Sequence, residues 1–123
     1  MSLKLPERYA LAHTPTPIEK LERLTQLFGG PEIYIKRDDL TGIGKTGNKV
    51  RKLEFLIAEA LREGAQLLIT CGGVQSNHAR ATALAAAKVG LKSHLVLRDS
   101  AGGEIDGNLF IDRLVGAEVD FIT

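Results

Sequence analysis

The sequence predicts an α/β fold, an open parallel sheet assembled from βαβ units. Three observations predict it. Residues 66–70, 93–98 and 118–122 are short apolar runs of strand length. Stretches with helical periodicity, long enough to cross a sheet, separate them. Gly64, Gly90 and Gly116 then stand where those helices must stop. Strand, helix, strand, helix, strand with such short connections requires parallel strands and right-handed crossovers.

Taken in order, Thr14-Pro15-Thr16-Pro17 must be extended or turned, because each proline pushes the preceding residue away from helix. A helix is expected from about Ile18 to Phe28, with Ile18, Leu21, Leu24 and Leu27 three residues apart and Gly29-Gly30-Pro31 ending it. Glu32 to Arg37 alternates and is β-branched, a strand signal. Asp38 to Gly47 is a polar loop with three glycines, Gly42, Gly44 and Gly47.

A helix from about Asn48 to Arg62 should bury Val50, Leu53, Ile57, Ala60 and Leu61. Gln66 to Thr70 is nearly continuous in apolar residues and is expected to be a strand buried on both faces. An alanine-rich helix should begin near Ser76 or Asn77, both good N-caps, and run to Lys88. Ser93 to Arg98 reads as a second buried strand, Asp99 to Gly107 as a surface loop, Asn108 to Val115 as a third helix and Glu118 to Ile122 as a last strand.

Composition narrows the function classes. The 123 residues suffice for one core, and a chain of this size buries roughly two-thirds of its unfolded surface. A content of 44% apolar and 25% charged residues argues against disorder. The formal net charge of +1 offers no basic field for nucleic acid and no polybasic segment for membranes. No apolar run reaches the length of a spanning helix, and no signal-peptide core is expected at the N-terminus. A single cysteine, Cys71, excludes an internal disulfide and fits a reducing cytoplasm; it is expected as a small buried residue at a strand end. His13, His78 and His94 are too scattered for a metal site.

Two polar turns carry the chemistry. In open parallel sheets, ligands bind beyond the carboxyl ends of the strands. The segment Cys71-Gly72-Gly73-Val74-Gln75-Ser76-Asn77-His78 lies at such an end and leads into a helix start. Free N–H groups there attract a carboxylate or phosphate. Taken alone, Ser76 and Asn77 are explained as caps, although Gln-Ser-Asn-His is denser in polar groups than capping requires. The other turn is Thr46-Gly47-Asn48-Lys49, followed by Arg51 and Lys52. Lys49 falls in the first turn of a helix, where the dipole and the neighbouring cations Lys45, Arg51 and Lys52 disfavour a charged ammonium and favour the neutral amine that Schiff-base chemistry needs. The same position also fits a solvated lysine. Gly44-Lys45-Thr46 is similar to the end of a phosphate-binding loop, but the first glycine of that pattern would fall at Asp39, whose charge would repel phosphate.

Three longer motifs point to one family. Ile33-Tyr34-Ile35-Lys36-Arg37-Asp38-Asp39-Leu40, Gly47-Asn48-Lys49-Val50-Arg51-Lys52-Leu53-Glu54-Phe55-Leu56 and Val74-Gln75-Ser76-Asn77-His78-Ala79-Arg80 resemble the pyridoxal-phosphate enzymes that include D-cysteine desulfhydrase, 1-aminocyclopropane-1-carboxylate (ACC) deaminase and L-cysteate sulfo-lyase. The likeness extends from about Thr14 to the last residue, in order. It implies the tryptophan-synthase-β-like arrangement, fold type II, with the cofactor between a larger domain and a smaller open α/β domain.

By this resemblance, Lys49 matches the lysine that forms a Schiff base with pyridoxal 5′-phosphate. Asn77 matches the asparagine bonded to the cofactor's 3′-oxygen, and Lys52 matches a lysine near its phosphate. Gln75, Ser76, Asn77 and His78 match the substrate-binding turn, with Ser76 assisting proton transfer. The implied chemistry removes an α-proton and a β-leaving group from a small amino acid, giving pyruvate and ammonia, in a protein that is a homodimer at full length. Thr46 departs from the family pattern, which has glycine there. Members are more than twice as long, so residues 1–50 correspond to a first segment of the cofactor domain and 51–123 to most of the small domain, the C-terminal cofactor domain being absent. Such a chain is expected to be inactive alone. The Gln-Ser-Asn-His-Ala-Arg run leans toward the desulfhydrase and sulfo-lyase pattern, with the deaminase next. A non-catalytic fragment or half of a split enzyme is the expectation from another class.

Overall fold

The structure, a computed structural model, describes residues 5–42, 44, 47–99 and 105–123. The expectations for Lys45 and Thr46, and for most of the loop after Asp99, lie outside these residues. Strand β1 (Ile18–Lys20) is followed by helix α1 (Glu22–Phe28), strand β2 (Tyr34–Lys36) and a 3-10 turn (Asp38–Leu40). Next come α2 (Lys49–Arg62), β3 (Leu67–Gly73), α3 (Asn77–Val89), β4 (Lys92–Arg98), α4 (Gly107–Leu114) and β5 (Glu118–Ile122). Strands β3, β4 and β5 form a parallel sheet in that order, with Leu67 opposite Lys92 and His94 opposite Glu118. Sequential order with crossovers of one hand puts both connecting helices on one face of the sheet. The α/β class and the βαβ units therefore stand as expected.

Helix α3 is the hub. One side packs against α2 and the segment before β1, where Leu11, Val50, Leu53, Ile57, Ala81 and Ala85 form a buried cluster. Its other side packs on β4 and α4, where Ala79, Ala83, Leu95, Leu97 and Leu109 form a second. A helix buried on two sides must be thin, which is why it is built of alanine. Each large side chain in these clusters, such as Ile57 at 0% exposure, contributes about 1.5–3 kcal/mol on burial. Among the described residues no helix is long and apolar enough to cross a membrane.

The structure corrects four local expectations. The helix expected from Ile18 begins only at Glu22. Residues 18–20 instead pair antiparallel with β2, Ile18 opposite Lys36, and the Leu21 N–H donates to the Ile33 carbonyl at 2.8 Å. A three-residue strand has too little periodicity to read, and its partner lies sixteen positions on. In α2 the buried face is Val50, Leu53, Glu54, Ile57 and Ala58. Leu61 is exposed and Ala60 half-buried, because the segment before β1 covers the Glu54 side of the helix, with the Leu11 and Ala12 N–H groups on the Glu54 carboxylate. Strand β3 runs on to Gly73 and is not buried on both faces: Leu67 and Ile69 are 41% and 69% exposed. Both helices lie on the Leu95–Leu97 face, and β3 is an edge strand, so the opposite face is uncovered among the described residues. Cys71 points to that face and is exposed, not buried.

Candidate active site

Two helix starts meet at one cleft. Lys49 is the first residue of α2, and Asn77 the first of α3. Both line a cleft of about 570 Å³ together with Asn48, Gly47, Lys36, Asp38 and Asp39. The Ser76 Oγ accepts from the Ala79 N–H at 3.2 Å, the expected N-cap. The amides of Asn77 and His78, in the first turn, have no intrahelical acceptor and present a positive end to the cleft. The α2 start, which has no side-chain cap, does the same.

The charges of the walls are mostly paired. Asp38 is held by Arg51, and Asp39 by Arg37 at 2.7 Å. Lys36 Nζ donates to the Thr16 carbonyl. Lys49 is half-buried and has no hydrogen-bond or ion-pair partner among the described residues. Its amine is left for an occupant. Arg51, expected to act on Lys49 as an unmatched cation, is matched by Asp38. Burial first, then the charges of Lys49 and Lys52, hold the His78 imidazole below its ordinary value, so it is neutral at pH 7.

The sequence-derived residues thus fall into two groups. Lys49 and Asn77 share the cleft wall, with Lys52 and His78 close enough to interact electrostatically. Gln75 does not line it. Its Oε1 accepts from the Asn108 N–H at 2.8 Å and its Nε2 donates to Asp106 Oδ1 at 2.8 Å. Ser76 spends its hydroxyl on the cap.

A family model described as pyridoxal-phosphate dependent enzyme matches residues 9–122. The chain belongs to the pyridoxal-phosphate dependent enzymes. It is 52% identical over 94% of its length to a protein of Arabidopsis thaliana named bifunctional D-cysteine desulfhydrase/1-aminocyclopropane-1-carboxylate deaminase, mitochondrial, covering 30% of that protein. It is 57% identical over 77% of its length to a D-cysteine desulfhydrase of Salmonella paratyphi A, covering 29% of it. A crystal structure of an ACC deaminase homologue superposes with a TM-score of 0.88 at 46% identity, over 95% of this chain and 35% of that one. The chain spans about a third of the length of these relatives.

The residues present suit the family's cofactor. A primary amine, a side-chain amide and two helix starts face one cleft, and these are partners for an aldehyde, a ring oxygen and an anion. Sequence reasoning missed Asp38 and Asp39 as wall residues and Asn108 and Asp106 as the partners of Gln75. The aspartates lay inside a recognised motif without a role. Asn108 gave only the signal of a helix start.

Proposed function

We propose that this chain is the N-terminal third of a pyridoxal-phosphate-dependent lyase or deaminase for a small amino acid, foremost a D-cysteine desulfhydrase giving pyruvate, sulfide and ammonia. ACC deaminase or L-cysteate sulfo-lyase is the alternative. Residues 1–50 begin the cofactor domain and 51–123 supply most of the small domain. The observation that carries the reading is the Lys49 amine, without a partner among the described residues, lining one cleft with Asn77 where two helix starts meet. The names of the relatives support both the desulfhydrase and the deaminase.

Pyridoxal phosphate, when bound, supplies an electron sink for the substrate's α-carbon. Lys49 would hold the cofactor's aldehyde through its amine, and with that amine free it would serve as the base that takes the substrate's α-proton. Asn77 would donate its amide to the cofactor's ring oxygen, and Lys52 would add positive charge on the phosphate side. Gln75, Ser76, Asn77 and His78 form the substrate turn: Gln75 anchors it outside the cleft through Asn108 and Asp106, the first-turn N–H groups hold the carboxylate and Ser76 assists proton transfer. His78, being neutral, adds no positive charge there. The working protein is a cytoplasmic homodimer; a single cysteine suits a reducing compartment, although the Arabidopsis relative is named as mitochondrial.

A second reading, a non-catalytic module or half of a split enzyme, is favoured by the exposed Leu67 and Ile69 on the outer sheet face. One experiment separates the readings. Added pyridoxal phosphate should give an absorbance band at about 410–430 nm that Lys49→Ala abolishes. A band appearing only when the remaining two-thirds of a relative is supplied supports the split form. Sulfide and pyruvate from D-cysteine, without ammonia from the cyclopropane substrate, would exclude the deaminase.

A further inference from the structure

Asn108, in the first turn of α4, is 9% exposed, and its backbone N–H and both side-chain polar atoms are engaged. The N–H donates to Gln75 Oε1 at 2.8 Å. Nδ2 donates to the Gln75 carbonyl at 2.7 Å and to Asn77 Oδ1 at 3.1 Å. Oδ1 accepts from Arg80 Nη1 at 2.5 Å. Two of these partners can play only one part: a backbone carbonyl only accepts, and a guanidinium only donates. Together they decide which end of the Asn108 amide is nitrogen. Its second Nδ2 proton then demands an oxygen from Asn77, so Asn77 turns Oδ1 toward α4 and keeps its NH2 group for the cleft it lines.

The geometry points to Asn108 as a positioning residue that, oriented by Arg80, sets the polarity of Asn77. The cleft therefore meets its occupant with a hydrogen-bond donor and selects an acceptor oxygen at that point. This builds on the proposed role of Asn77, and it explains why a residue 31 positions away from it is engaged on every side.

The test begins without cofactor. In ¹⁵N-labelled protein, the Asn108 side-chain amide protons should exchange with solvent at least about tenfold more slowly than those of Asn77. Equal rates, or the reverse order, overturn the inference, and no variant is needed for this arm. Asn108→Asp keeps the shape and the Arg80 contact but can only accept, so it should draw the Asn77 NH2 inward and slow its exchange; unchanged Asn77 exchange in a folded variant overturns the inference. With pyridoxal phosphate, Asn108→Asp should weaken binding about tenfold or more in the Asn77 background and little in Asn77→Ala. An equal loss in both would mean that Asn108 acts on the fold and not through Asn77. Wild-type protein that shows the expected exchange pattern but never acquires a cofactor band sinks the functional reading alone.

Discussion

Arg51 grips Asp38 through two parallel hydrogen bonds, Nε to Oδ2 at 2.8 Å and Nη2 to Oδ1 at 2.7 Å, two residues after Lys49. The Thr16 hydroxyl donates to the same carboxylate at 2.9 Å. The pair ties the start of α2 to the 3-10 turn and to the segment before β1, and so fixes the wall from which Lys49 projects. The hydrogen bonds from Arg51 and then Thr16 pull the Asp38 carboxyl down to about 2. A depressed carboxylate contributes stability that is present above its unfolded value, near 4, and is lost as pH falls through the folded one. Arg51→Met should therefore melt at a lower temperature than wild type at pH 6, with the gap closing as pH falls from about 4 to 2. Thermal melts across that range check it; a gap that persists at pH 2 would assign the loss to packing.

Gly72 lies directly beneath the cap of α3. A Cβ there would sit 2.7 Å from both the Ser76 Cβ and Oγ, closer than carbon and oxygen approach without displacement. Gly72→Ala must push Ser76 off the Ala79 N–H. Loss of a cap costs about 1 kcal/mol and overpacking a further 1–3 kcal/mol. Urea unfolding should show Gly72→Ala at least as destabilising as Ser76→Ala; if alanine is tolerated without loss, the strand end is not what seats Ser76.

The features legible in the sequence were those set by near neighbours along the chain. Ser76 and Gly90 bound α3 because capping chemistry is local, and Glu118–Ile122 was bounded to the residue by Gly116 and its own apolar run. Lys49 stood out for its place in a helix start. What stayed hidden depends on partners far off in sequence. Ile18–Lys20 is a strand only because Tyr34–Lys36 lies beside it, and Gln75 turns from the cleft only because Asn108 and Asp106 engage it. The outer face of β3 failed differently: an apolar run reports that a strand is built for cover, not where the cover comes from.

Glu54 is the charge that periodicity puts on the wrong side. It is 2% exposed on α2, and its Oε1 accepts from the N–H groups of Leu11 and Ala12, both at 2.9 Å. Arg8 lies 3.5 Å from Oε2. Glu54→Ala leaves one buried and one partly buried donor unsatisfied and should cost about 2–4 kcal/mol. Glu54→Gln retains an oxygen for both donors and turns its amide toward Arg8, so it should cost about 1 kcal/mol or less. Urea midpoints of the two variants check the ordering; equal costs would show that charge, not acceptance, pins the N-terminal segment.

Asp112 on α4 is fully buried, and neither carboxylate oxygen has a hydrogen-bond partner among the described residues. Burial pushes its carboxyl up to about 6, only partly offset by the charge of Arg80. The folded state therefore keeps this proton to higher pH than the unfolded chain. Between about 4 and 6 it binds more protons than the unfolded state, so stability falls as pH rises, and the full penalty applies above 6. Ionising a carboxyl raised this far costs the folded state about 2–3 kcal/mol. Asp112→Asn mimics the protonated form at every pH. It should match wild type in denaturant unfolding at pH 4 and exceed it by about 2–3 kcal/mol at pH 8. Equal stability at both pH values would mean that Arg80 compensates the buried charge in full.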